Sequence, residues 1–140
     1  KDGNVTYYDY ILNDLVKIAG NYTISNIYID AWNATAFQIS ATENNLPIEA
    51  YSQSIGSINR PTKELARLIL KKEITLNYNP IDNFCFSNVN IKRDANENER
   101  PTKTSWKNKI DGVFAIINAL GGYLTTIHGD FTPISLNFSK

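Results

Sequence analysis

Two aspartates stand where a carboxylate can do chemistry. Asp30 closes the short apolar run ISNIYID and is followed by Ala31 and Trp32. In open α/β sheets, ligands bind just beyond the carboxyl ends of strands. Asp111 opens the apolar segment DGVFAIINAL. Brought together by folding, a strand-end and a helix-start aspartate could share one hard cation, because Mg²⁺ takes one or two carboxylates plus water and phosphate oxygens. Each residue also has a plainer reading. Asp30 suits the turn or cap that follows a strand, and Asp111 suits the first turn of a helix, where the dipole favours a negative charge.

Other reactive side chains are scarce. The one cysteine, Cys85, and the one histidine, His128, form no zinc-ligating cluster. Neither has a visible partner for nucleophilic catalysis, so packing or surface roles are expected for both. Any metal must therefore be held by oxygen. There is no GxxxxGK[ST] to cradle a nucleoside triphosphate.

Formal net charge is zero, whereas a domain that grips nucleic acid usually carries a positive surplus. Composition by itself thus leans away from DNA. The balance is uneven, however: residues 92–109 hold Lys92, Arg93, Arg100, Lys103, Lys107 and Lys109 against Asp94, Glu97 and Glu99. Lys103, Lys107 and Lys109 directly precede Asp111 and could meet phosphates. Arg60, Lys63, Arg67 and Lys71 fall near one face of a helix and read as its solvated side. Tyr7, Tyr8, Tyr10, Trp32 and Trp106 are candidates for stacking on bases, but aromatics at such spacings usually fill a core, and a core role is expected for them.

These residues need elements to position them. The 140 residues, 42% hydrophobic, suit one compact domain. No run approaches the roughly 20 apolar residues of a membrane span, and KDGNVTYYDY lacks the sections of a signal peptide. The chain has no methionine and is expected to be a piece of something longer. Thr6 can cap a first helix, with Tyr8, Ile11, Leu12, Leu15, Ile18 and Ala19 at helical spacing before Gly20. A buried strand is expected over 24–29, ending on Asp30, then a helix from a cap at Asn33 to about Asn44.

A second strand is expected over 46–51, and a third helix from near Pro61 to about Lys72. Beyond Pro80 the chain should turn into a strand near 89–92, with ANENERPTK a hairpin or exposed loop. The last helix should begin near Asn108 and stop before Gly121 and Gly122. Ile110, Val113, Phe114, Ile117 and Leu120 line its apolar face, while Gly112, Ala115 and Ala119 are small enough for close approach of a neighbour. Residues 125–140 have no assigned element. Alternating helices and strands predict an α/β fold with a parallel or mixed sheet covered by helices.

In order along the chain, GNVTYYDYI, IYIDAW, PTKELARLIL, NPIDNFCFSNVNIKRD and KIDGVFAIINAL resemble the C-terminal nuclease domain of large terminase subunits of tailed phages. The resemblance runs from about residue 3 to residue 120, and the Lys-Ile-Asp-Gly start of the last block is its most specific part. It implies an RNase H-like mixed sheet flanked by helices. It also implies an endonuclease that cuts concatemeric viral double-stranded DNA during genome packaging, using Mg²⁺ or Mn²⁺, two ions in the complete domain, held by three acids.

Asp30 matches the second acid and Asp111 the third; Asp94 matches a further recurrent acidic position and also suits a hairpin turn. The first acid belongs to an opening strand that should precede Lys1, and no residue here matches it. The chain therefore reads as 1–140 of a partial nuclease domain lacking its first strands, with 1–124 matching the family and 125–140 a C-terminal tail. Alone it is expected to bind metal weakly and cut poorly. A histidine often found before the Asn-Pro element is also missing. The resemblance further implies an upstream ATPase half, portal protein and small terminase subunit as partners, no membrane, and work in the cytoplasm of the bacterial host. Another RNase H-like nuclease, such as a resolvase or transposase core, and a non-catalytic docking module of the packaging motor are the alternatives.

Overall fold

A computed structural model describes residues 7–30, 32, 34–76 and 79–126. The chain divides into two compact units, residues 1–51 and 52–140.

In the first unit, helix α1 spans Tyr8–Asn21, strand β1 Ile27–Asp30, helix α2 Thr35–Glu43 and strand β2 Ile48–Tyr51. α1 follows an extended Tyr7 and carries Asp9 in its first turn, where the dipole favours a negative charge. It runs through Gly20 and ends where the Tyr22 N–H donates to the Ile18 carbonyl. Thr6 and Asn33, the expected caps, lie outside the described residues. Leu12, Leu15 and Ala19 are the half-buried positions of α1. The Tyr8 and Phe37 rings, 5.6 Å apart, link it to α2.

β1 and β2 pair in parallel, in the register Ile27↔Ile48 to Asp30↔Tyr51. Parallel neighbours need a crossover rather than a hairpin, and α2 supplies it. Its Ala41, with Leu46 after it, is buried. Asn45 turns the chain out of α2 at φ 58°, a left-handed conformation that asparagine tolerates better than most side chains. That turn lets the Leu46 N–H reach back to the Ala41 carbonyl.

In the second unit, helix α3 spans Ile55–Leu70, helix α4 Pro80–Ser87, strand β3 Asn90–Arg93, strand β4 Glu99–Thr102 and helix α5 Asp111–Thr126. α3 begins six residues before Pro61, because the Ser54 hydroxyl accepts from the Ser57 N–H and caps it. An interior proline forfeits a backbone hydrogen bond at about 3 kcal/mol. Here that loss is offset by a continuous buried face of Ile58, Pro61, Thr62, Leu65 and Leu68, each apolar side chain contributing roughly 1.5–3 kcal/mol.

The Asn-Pro element is itself a helix. The Asn79 carboxamide accepts from the Ile81 N–H at 2.9 Å and Pro80 takes the first turn, where a missing N–H costs nothing. β3 and β4 form an antiparallel hairpin, with Ile91 opposite the buried Pro101. α5 packs against α3 and α4. Its Val113, Ile117 and Leu120 are buried as the spacing predicts, and Ile110 is buried just before it. Ala115 and Ala119, expected at a close approach, are exposed.

α5 does not stop at Gly121 and Gly122 but carries both, buried, on to Thr126. Tertiary packing outweighs the roughly 1 kcal/mol each costs a helix. The α/β class read from the sequence holds, with one parallel and one antiparallel ladder; among the described residues these are two separate two-stranded sheets.

The aromatic residues depart from expectation. Tyr7, Tyr8, Tyr10, Trp32 and Trp106 are all exposed rather than in the core, Trp32 by 83% and Trp106 by 75%. A tyrosine hydroxyl lets one edge of the ring stay in water, and both tryptophans lie in segments between regular elements, where no layer of the described residues covers them.

Candidate active site

Asp30 is the last residue of β1, at the carboxyl end of the parallel pair, and its carboxylate is exposed. One oxygen, Oδ1, accepts from the Trp32 N–H at 3.0 Å, so the turn reading of this residue is realised. That single bond leaves acceptor capacity on both oxygens, since a carboxylate offers about four lone-pair sites. No cation pairs with it among the described residues.

Asp111 is the first residue of α5 and is exposed. It too lacks an ion pair among the described residues. Hard, solvent-facing carboxylate oxygens suit a hydrated Mg²⁺ or Mn²⁺. Asp30 belongs to the first unit and Asp111 to the second. Among the described residues, no group of three or more His, Cys, Asp or Glu side chains gathers as a metal site.

A residue that sequence reasoning passed over lies against Gly112, at the start of α5. Asp82, half-buried in the first turn of α4, places Oδ1 3.0 Å from where a Cβ on Gly112 would be, with the Cys85 Sγ 3.4 Å away. Glycine at 112 is what leaves room for that carboxylate against the start of α5. The usable signal was Asn79-Pro80, a cap followed by a first-turn proline, which announces a helix carrying Asp82 in its opening turn.

Asp94 holds its own hairpin. Its Oδ1 accepts from the backbone N–H of Asn96 at 2.8 Å and of Asn98 at 2.9 Å, while Oδ2 accepts from the Asn98 carboxamide at 2.9 Å. The Asn98 side chain above all, then these N–H groups, hold its carboxyl below the usual carboxylate range. The loop passes through Glu97 at φ 59°. It is fastened to α3, because the Lys63 ammonium donates to the Glu97 carbonyl and the Glu99 N–H donates to the Asn59 carboxamide.

Lys103, Lys107 and Lys109 are exposed in the connection from β4 to α5. The Lys107 ammonium lies 5.8 Å from the centre of the Trp106 ring. On α3 the basic residues divide. Arg60 and Lys71 are exposed, whereas Arg67 is held between Glu64 and Glu73 at 2.7 and 2.6 Å. Arg67 pulls the Glu64 carboxyl below its ordinary value. Cys85 is buried beside α5, the packing role expected for it, and His128 lies outside the described residues. No helix among the described residues is long and apolar enough to cross a membrane.

The chain is thus an α/β protein with one exposed acid at a strand end and another at a helix start. The family model for the terminase large subunit endonuclease domain matches residues 1–126, and the chain belongs to that family. It is 24% identical over 129 residues to the large terminase subunit of Enterobacteria phage HK97, covering 89% of this chain and 26% of that protein. It is 30% identical over 122 residues to protein YmfN of Escherichia coli K12, covering 86% of this chain and 27% of that protein. The crystal structure of the HK97 large terminase matches the fold with a TM-score of 0.76 at 22% identity, over 87% of this chain and 26% of that one. The chain thus spans about a quarter of the length of these relatives.

Proposed function

We propose that this chain is the DNA-cutting domain of a genome-packaging motor, a metal-dependent endonuclease that cleaves concatemeric viral double-stranded DNA. The observation that carries the reading is the family match over residues 1–126, joined to two aspartates that stand open to solvent without a cation partner among the described residues. Asp30 and Asp111 hold Mg²⁺ or Mn²⁺ through carboxylate oxygens, the donor type these ions prefer. When bound, two such ions supply the charge that activates water and stabilises the leaving oxygen in phosphodiester hydrolysis.

The protein's own part is to fix the acids and to position the strand. β1 and its turn to Trp32 fix Asp30; the first turn of α5, packed on α4, fixes Asp111. Lys103, Lys107 and Lys109 meet backbone phosphates, which sets register without reading sequence. Asp94 keeps its hairpin folded. In the full-length protein the partners are duplex DNA, the portal and the small terminase subunit, in the host cytoplasm.

The test is plasmid cleavage by the full-length protein across Mg²⁺ and Mn²⁺ concentrations. Asp30→Asn and Asp111→Asn should each lower the rate by about 100-fold or more, as expected where removal of charge stabilisation costs a few kcal/mol, with the thermal midpoint unchanged. Normal cutting by either variant removes that residue from the site. Zero net charge favours a docking module instead, and absence of any metal-dependent cutting by the unaltered protein would select it.

A further inference from the structure

Between β4 and α5 the chain makes a tight, well-fastened turn. The Ser105 carbonyl accepts from the Asn108 N–H at 3.1 Å, the Asn108 carboxamide donates to the Thr104 hydroxyl at 3.0 Å, and the Asn88 carboxamide donates to the Lys109 carbonyl at 3.3 Å. Ile110, buried, anchors its far end. Trp106 and Lys107 occupy the two corner positions, which turn side chains outward. The indole is 75% exposed, an unusual position for the largest apolar side chain.

From residue 100 to residue 110 there are four cations, Arg100, Lys103, Lys107 and Lys109, and no acid. The Arg100 guanidinium lies 6.0 Å from the Phe114 ring centre, while the three lysines are exposed. An indole has two faces. The Lys107 ammonium lies over one, 5.8 Å from the ring centre, and with three quarters of the residue's surface exposed most of the ring faces solvent.

We propose that this turn is a stacking platform for unpaired DNA bases, with Trp106 as the stacking surface and Lys103, Lys107 and Lys109 as its phosphate contacts. Proteins that hold single strands pair a cationic track with aromatic rings, because every base presents a π-face and one stacked base is worth about 1–3 kcal/mol. Paired bases inside a duplex are already stacked on both sides. A rigid indole on the outside of a turn therefore selects bases freed at an end, a nick or a frayed stretch, the kind of DNA that cutting produces. The fixed turn means that little conformational entropy is lost on binding.

The proposal rests on the reading of this domain as one that handles DNA, and not on its metal ligands, so binding in the presence of chelator separates the two. With the full chain, a short oligothymidylate carrying iodouracil should cross-link on irradiation at Trp106, mapped by mass spectrometry of the digest. Trp106→Ala should weaken oligothymidylate binding by about tenfold, within the range for one stacked base. It should leave duplex binding and the salt dependence little changed, and Trp106→Phe should recover most of the loss. Lys107→Ala should instead reduce the slope of log affinity against log salt.

Cross-links confined to other residues, an unchanged single-strand affinity in Trp106→Ala, or an equal loss for duplex and single strand would each overturn the platform. Normal cutting by Asp30→Asn and Asp111→Asn alongside a Trp106 cross-link would sink the metal assignment and leave the platform standing.

Discussion

Replacing Gly112 by alanine sets two opposing effects against each other at the start of α5. A helix interior favours alanine over glycine by about 0.5–1 kcal/mol, less in a first turn. The new methyl would lie 3.0 Å from the Asp82 Oδ1 and 3.4 Å from the Cys85 Sγ. The second distance is ordinary contact; the first requires the carboxylate to withdraw by a few tenths of an ångström. The carboxylate ends a half-buried side chain and can swing aside at the cost of a displaced rotamer, about 0.5–1.5 kcal/mol, so Gly112→Ala should destabilise the chain by at most about 1 kcal/mol.

With Asp82→Ala the obstructing oxygens are gone, and adding Gly112→Ala should then be neutral or stabilising by about 0.5 kcal/mol. The difference is a coupling of about 0.5–1.5 kcal/mol, within the range for side chains in contact. Urea unfolding of the four proteins by circular dichroism, compared at equal m-values, measures it. Additivity to within about 0.5 kcal/mol would refute the argument that Asp82 sits where glycine makes room for it. Because Asp111 precedes Gly112 on the same turn, the metal concentration for half-maximal cleavage should rise in Gly112→Ala.

Ile117 is 1% exposed on the buried face of α5. Ile117→Ala should cost about 2–5 kcal/mol by transfer and cavity terms, whereas Ala119→Ser, on the exposed side of the same helix, should stay within about 0.5 kcal/mol; equal urea midpoints for the two would contradict the burial pattern. Acid should weaken the second unit in a defined sense. The Asp94 and Glu64 carboxyls titrate below their ordinary values of 3.8 and 4.5 when folded, so in that acidic window the unfolded chain binds more protons and stability rises with pH. Their contribution is complete above the ordinary values and disappears as pH falls through the folded ones. Asp94→Asn should flatten the acid limb of a plot of urea midpoint against pH, and an unaltered limb would show that the turn does not depend on that charge.

The order of every element but α4, and the positions of the two candidate acids, were legible in the sequence because they rest on local rules. β1 closing on Asp30 follows from a short β-rich apolar run, and the buried Val113, Ile117 and Leu120 follow from a period of 3.6. These signals need only neighbours within a few residues, and the ordered blocks also carried the family resemblance. Stops and starts were less legible. Pro61 and Gly121–Gly122 look like helix boundaries by propensity, yet α3 and α5 run through them, because packing between those helices supplies more free energy than a lost backbone bond or a glycine costs.

Local rules also placed Tyr8 and Trp106 inside, since periodicity registers an apolar side chain without knowing whether anything faces it. Which layer covers which face is a property of the folded chain. So too is the approach of Asp82 to Gly112, thirty positions further along: no spacing in the sequence encodes it, and only the packing of α4 on α5 brings it about. What the sequence by itself determined was which side chains could do chemistry and on which elements they ride; the tertiary structure alone decided which of them stay open to solvent, because burial depends on residues far away along the chain.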